Sequence, residues 1–301
     1  MTGLSNHMRG VIMIICAACS FSVMNVFSRL AGDGVSAMQK TFLRNAVAIL
    51  VILAILAREK KPIRIRKGCL PYHFLRSLFG TLGAIGNFYA VDHMILSDAT
   101  VLVELSPIFI IIFSALILKE KATWRQWGII LLAFVGAALV IRPSGTGLVS
   151  IAALVALSVA VFAGVAYTML RFLGLRGEDG SIIILFFSVF SCAACLPFVL
   201  MAYKPLTAAQ FFFMLAASIF GCCGQLSVTA AYRYAPASEI SVFNYSSVAF
   251  SALLGWAIFG QIADSLSYFG YCIMLAAVML MFLVNRKKAR EEAHARENIQ
   301  V

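Results

Sequence analysis

Three stretches of this chain, Val11 to Phe27, Ile108 to Leu118 and Ile129 to Ile141, carry no charged side chain and are dominated by apolar ones. Runs of that kind belong in hydrocarbon, and hydrocarbon restricts the backbone severely. No water is present there to satisfy peptide N–H and C=O groups, so a segment must satisfy its own, which an α-helix does. A span needs roughly 20 mostly apolar residues. The rest of the chain agrees, because only 12% of its residues are charged, against about 25% in soluble domains. Alternation with a period of two is absent, which argues against a membrane β-barrel. The expectation is an all-α integral membrane protein with ten transmembrane helices. The spans fall near 9–31, 37–57, 71–93, 97–118, 123–142, 148–172, 181–202, 207–233, 237–259 and 265–285. The polar tail beyond them reads as a frayed helical continuation.

The first apolar run is too long for a cleaved signal sequence and carries Asn25. Cys16-Ala17-Ala18-Cys19 lacks the Leu usual at a lipoprotein processing site, so the run reads as helix 1. Seven of the eight cysteines lie in apolar runs, without a nearby His. There they behave as small hydrophobes, and no metal or cofactor is expected.

A net charge of +11 would point to nucleic acid in a soluble chain. Here the basic residues sit between spans. With the N-terminus inside, eighteen Lys and Arg fall on the inner side and four on the outer, while Arg44 and Arg76 lie within spans. That bias predicts both termini in the cytoplasm of a cell or inner membrane, with a lipid bilayer and not nucleic acid as the partner.

A shift of 141 residues aligns the third and fourth spans with the eighth and ninth. Ser77-Leu78-Phe79-Gly80-x-x-Gly83 falls on Ser218-Ile219-Phe220-Gly221-x-x-Gly224, and residues 77–106 show eight identities without a gap. Asp98 aligns with Glu239, and Phe21 with Phe162. Five helices per repeat forces the second half to enter from the opposite side, which gives two inverted five-helix repeats, residues 1–145 and 146–286, and a charged tail, 287–301. Inverted repeats place a substrate near the midplane between them.

Phe88-Tyr89-Ala90, Leu96-Ser97-Asp98-Ala99, Pro107, Lys119-Glu120 and Gly128 with Gly136 together resemble the EamA-type group of the drug/metabolite transporter superfamily. The second half repeats the pattern in Ala230-Ala231-Tyr232, Ala235-Pro236-Ala237-Ser238-Glu239 and Gly260-Gln261. Gln261 stands where an acid is common and Val248 where Pro107 falls in the first half, both departures from the pattern. The resemblance spans nearly the whole chain and implies ten helices and transport of a small organic solute.

Ionisable residues inside the membrane need a reason, since each costs roughly 2.5–3.5 kcal/mol at a helix centre. Arg44 and Glu104 lie at similar depth from the outer end of their helices, and Arg76 lies one to two turns from the cytoplasmic end of its own. Arg44 reads either as an anion anchor, because guanidinium forks onto carboxylate or phosphate, or as the structural ion-pair partner of Glu104. Glu104 in the first case takes a proton or a cationic substrate group. Arg76 reads as snorkelling to the surface or as lining an inner vestibule. Asp98 and Glu239 read as charges at helix starts, and Asp92 and His93 as facing the outer water. Asn25, Asn87, Gln225, Asn244, Tyr89, Tyr167, Tyr232 and Tyr245 form a neutral polar set, either bonding helix to helix or facing the central cavity that the resemblance implies. Tyr245 is the repeat mate of Glu104. The glycines at 80, 83 and 86 read as sites of close packing, and Pro107 and Pro197 as kinks.

The function expected is a secondary active transporter of a small organic metabolite, an amino acid or organic anion or zwitterion. It works by alternating access as an exporter or proton-linked exchanger, and as a monomer or homodimer. The alternative is a membrane enzyme or passive channel. No HExxH, GxSxG or intramembrane aspartate pair supports an enzyme, and no phosphate-binding glycine loop supports ATP use.

Overall fold

The computed structural model describes residues 6–32, 34–106, 108–110, 112–113, 124–141, 150–234 and 241–297. Among them are ten α-helices, one 3-10 helix and no strand. The helices are α1 (Asn6–Leu30), α2 (Ala37–Glu59), α3 (Leu70–His93), α4 (Leu96–Val103), α5 (Trp124–Ile141), α6 (Ile151–Leu175), α7 (Gly180–Met201), α8 (Ala208–Tyr234), α9 (Ser246–Phe259) and α10 (Ser265–Glu297). The 3-10 helix, Ser241–Tyr245, leads directly into α9. Six helices, α1, α2, α6, α7, α8 and α10, have segments long and apolar enough to cross a bilayer; Trp127–Val140 and Phe243–Phe259 are shorter apolar segments. The chain is a multi-pass membrane protein by this measure. The tail continues α10 as expected, at least to Glu297.

Two expected spans are not single helices. The fourth breaks at Glu104, where the α-helical ladder gives way to tighter bonds, Leu105 N donating to Leu102 O at 3.2 Å and Ile108 N to Leu105 O at 3.0 Å. The ninth breaks at Tyr245, the repeat mate of Glu104. The second break occurs without a proline, since Val248 stands at the position aligned with residue 107. Pro107, Lys119, Glu120 and Glu239 lie outside the described residues. The α7 helix runs through Pro197 without interruption.

Helix packing follows a regular scheme. The most extensive contacts join α1 to α8 and α3 to α6; α2 packs on α7, α4 on α9 and α5 on α10. Advancing each helix by five turns the first pair into the second, and turns α1–α9 into α6–α4 and α2–α8 into α7–α3, contacts that are also present. Aligned glycines serve matching contacts. A Cβ on Gly224 would stand 2.7 Å from the Phe21 ring, and one on Gly83 3.8 Å from Phe162 Cβ.

Polar bonds tie the chain's first half to its second at both ends of the bundle. At one end Lys61 Nζ binds Asp179 Oδ2 at 3.0 Å, Arg66 N donates to Glu178 Oε2 at 3.2 Å, and Arg176 Nη1 donates to Gly68 O at 3.3 Å. The Lys61 ammonium, bonded by Glu59 and Asp179, is held above the ordinary lysine range. At the other end Gln39 Nε2 donates to Lys204 O at 2.9 Å, and Gln210 Nε2 to Ala31 O at 3.1 Å. There Gln261 Oε1 accepts from Arg29 Nη1 and from Leu96 N, both at 3.2 Å. A neutral amide oxygen suffices for that double role, which explains the departure from an acid.

At the crossing of α5 and α10 the two backbones approach each other closely. Gly136 and Gly270 face each other, and a Cβ on Gly270 would stand 2.8 Å from Gly136 O and from Val140 Cγ2. Gly270→Val is expected to lower the thermal unfolding midpoint of the purified protein, since overpacking costs about 1–3 kcal/mol. Gly128→Ala, whose Cβ meets nothing within 4 Å, is expected to leave it unchanged or slightly raised. Equal midpoints for the two variants would show that the crossing tolerates separation.

Candidate functional site

A cavity of about 150 Å³ lies between the two halves, lined from α1, α2, α3, α4, α6, α7, α8 and the start of α9. Of the residues singled out from sequence, Asn25, Arg44, Arg76, Asn87, Glu104, Gln225 and Asn244 all line it. Tyr245 and Tyr89 do not. Tyr245 is buried in the apolar core beside α4, α5 and α10, and Tyr89 stacks on His93 with ring centroids 4.1 Å apart. An aromatic residue with a hydroxyl tip packs equally well in either place, so type and spacing could not separate them. The lining also includes Ser22, Thr100, Tyr167, Phe187 and Ser247. Ser247 aligns with Ser106 under the 141-residue shift, a signal that could have found it; nothing in sequence marked Phe187 out.

Seven pairs of lining residues are related by the 141-residue shift, among them Ser22 with Ala163, Asn25 with Ala166, Asn87 with Val228, Ala84 with Gln225 and Val103 with Asn244. The cavity therefore uses matching positions of both halves, while in five of the seven pairs a polar residue is matched by an apolar one.

Arg44 and Arg76 are nine-tenths or more buried, at 9% and 3% exposure. Arg76 does not snorkel, because its side chain folds back over Gly80, into space that a Cβ there would occupy. Gly221, the repeat mate of Gly80, makes room for Arg44 in the same way: a Cβ would stand 3.1 Å from Arg44 Cδ and 3.2 Å from its Cγ. Both guanidinium groups face the Phe187 ring, Arg76 Cζ at 4.3 Å from its centroid and Arg44 Cζ at 5.7 Å. Such cation–π contact partly replaces lost hydration.

Glu104 is half-buried and sits where α4 breaks. Ser247 Oγ donates to its Oε1 at 2.9 Å. The ion pair weighed for Arg44 and Glu104 does not form: no Arg44 nitrogen comes within 4.0 Å of the carboxylate. The guanidinium is held towards Phe187, and the carboxylate towards α9. Hydroxyl groups brace the wall beside it. Ser251 Oγ donates to Ser22 Oγ at 3.2 Å, and Thr100 Oγ1 lies 2.9 Å from Ser251 Oγ. Asn87 Nδ2 donates to Asn25 Oδ1 at 3.0 Å, joining α3 to α1 at the cavity.

Two acids expected at water or at helix starts are engaged elsewhere. Asp92 does not face open water; Lys40, fully buried, binds both its oxygens at 2.6 and 2.7 Å. The buried ammonium requires such a partner. Asp98 lies in the first turn of α4, as expected, but is buried and accepts a short hydrogen bond from Tyr271 Oη. All eight cysteines are free thiols.

Comparison with known proteins fits this arrangement. The EamA-like transporter family profile matches the chain twice, over residues 8–142 and 150–283. The pseudopaline exporter CntI of Pseudomonas aeruginosa is 30% identical over 273 residues, covering 90% of this chain and 95% of that protein. The riboflavin transporter of Vibrio cholerae is 23% identical over 95% of this chain and 96% of its own. The S-adenosylmethionine uptake transporter of Rickettsia prowazekii is 22% identical over 97% and 98%. One solved crystal structure shares the fold at a TM-score of 0.67 and 14% identity, covering 92% of this chain and 98% of that one. A twofold match to one profile, on a multi-pass helical fold with a polar cavity between its halves, places this chain in the EamA-like transporter family.

Proposed function

We propose that this chain is a secondary active transporter that carries a small organic anion or zwitterion across the cytoplasmic membrane by alternating access. The carrying site is the cavity holding Arg44, Arg76 and Glu104. The observation that carries this reading is the set of seven cavity-lining pairs related by one sequence shift. A site built from matching positions of two repeats lies on the axis between them, where rocking of one against the other exposes it alternately. The swapped packing of α1–α8 and α3–α6 supports ten spans arranged as two inverted repeats, within 1–145 and 146–286. Helix breaks at the mated positions 104 and 245 support it further. Irregular backbone at membrane depth is tolerated where it lines a cavity or is buried in protein.

Polar bonds between the halves at both ends of the bundle favour a carrier over an open pore. A carrier passes through states closed on one side or both, and its end contacts form and break in turn. Export is the direction favoured by similarity to the pseudopaline exporter, although the relatives include uptake systems as well. Glu104 is the proton site: its carboxylate is the only acid among the described lining residues, and one of its oxygens is held by a neutral donor, Ser247, which suits either protonation state.

Three outcomes test this function. Flux of labelled organic anions in proteoliposomes should respond to an imposed pH gradient. Glu104→Gln should remove that response while leaving the protein folded; an unchanged pH dependence would reduce Glu104 to a structural role. The charge bias supports cytoplasmic termini, so a fluorescent reporter that folds only there should fluoresce when joined to Val301. A dark fusion that is nonetheless present in the membrane would reverse the topology.

A further inference from the structure

Arg44 and Arg76 make no hydrogen bond and no ion pair with any described residue, and Arg76 Nε is buried without a partner. A guanidinium presents five N–H donors and keeps its charge under all ordinary conditions. Two of them, withdrawn from water and sharing one phenyl ring, leave the cavity with an unmet demand for negative charge and for acceptor atoms. The demand is built in. Gly80 and Gly221, mated by the repeat, each leave volume that an arginine side chain fills, the Arg76 guanidinium at Gly80 and the Arg44 stem at Gly221. The repeat mates of the arginines are apolar, Leu185 for Arg44 and Ala217 for Arg76. Both charges instead converge on Phe187. Glu104 lines the same cavity without pairing with either of them; its Oε1 is bonded by Ser247, and its Oε2 meets no donor among the described residues.

We propose that the cargo is a zwitterion whose head bears two negative charges, a pair of carboxylates or a phosphate monoester, and whose other end bears an ammonium group. The head bridges Arg44 and Arg76 over Phe187, and the ammonium meets Glu104. This rests on the central cavity being the carrying site. Two charges are specified because one carboxylate satisfies one fork, and the second guanidinium would remain buried and unpaired. The size agrees: a cavity near 150 Å³ accommodates about one benzene-sized group, so an amino-acid-sized molecule fills it and a larger metabolite inserts its charged head.

The test is ligand binding to the purified full-length protein, read by thermal shift and calorimetry at millimolar probe. The probes are glutamate, glutarate, 4-aminobutyrate, 1,4-diaminobutane, O-phosphoethanolamine and inorganic phosphate. Glutamate or O-phosphoethanolamine is expected to bind most tightly, and which of the two wins identifies the head as dicarboxylate or phosphate. Glutarate and phosphate should bind more weakly, 4-aminobutyrate more weakly still, and the diamine not at all. Arg44→Gln and Arg76→Gln should each weaken glutarate binding by at least about tenfold, with Lys at either position recovering part of the loss. Glu104→Gln should weaken glutamate but leave glutarate unchanged. Variants are compared only where their unligated midpoint matches the parent, and Arg→Lys serves where Arg→Gln fails to fold. If the diamine or 4-aminobutyrate binds as well as glutamate and the cavity variants abolish that binding, the cavity stands and the dianionic class is wrong. If glutarate binds equally to the parent and to every cavity variant, the carrying site itself lies elsewhere. Absence of binding by every anionic probe overturns the proposal.

Discussion

Lipid leaves a polypeptide no external partner for its peptide groups, and the rest of this structure is organised around that constraint. Among the described residues, the long apolar runs are helical. The two places where the helical ladder is interrupted inside an expected span, at Glu104 and at Tyr245, occupy the same register of the two halves. One lies at a polar cavity and the other is buried against protein. In both places the irregular backbone is surrounded by protein.

Against that regular frame the charges are distributed unevenly. Matching positions line the cavity from both halves, yet the two arginines and the single glutamate all belong to the first. The second half answers with small or neutral groups: Gly221 accommodates Arg44, Phe187 faces both guanidinium groups, and Ser247 bonds Glu104. A symmetric frame suits a motion that presents one site to two sides. An asymmetric lining suits recognition, because a cargo molecule is not itself symmetric. One half therefore supplies charge, and the other supplies the surfaces that hold the charge in place.

Much of this was legible in the residues. The helices, the repeat and the charged part of the cavity lining follow from hydrophobic runs, one constant shift and the rarity of ionisable groups in hydrocarbon. Seven of nine expected site residues reach the cavity. The misreadings share a cause. Asp92 reads as solvated, and snorkelling is one of the two readings of Arg76, because each lies near a helix end. The structure gives Asp92 a buried lysine partner from α2 and gives Arg76 a glycine niche and a phenyl ring. Depth along a helix can be counted in sequence, whereas the direction a side chain faces depends on which helix lies alongside.

The sequence by itself determined that the chain lives in a membrane as helices, that its two halves are related, and that a few ionisable residues must be sheltered. These follow from local composition and from a shift along one dimension. Only the tertiary structure decided that Arg44 and Glu104 stand apart, that Arg44 and Arg76 converge on Phe187, and that Tyr245 packs in the core and not at the cavity. Each of those depends on contacts between residues tens to more than a hundred positions apart, where a rotation of one helix about its axis exchanges lipid, protein and cavity without altering any local pattern.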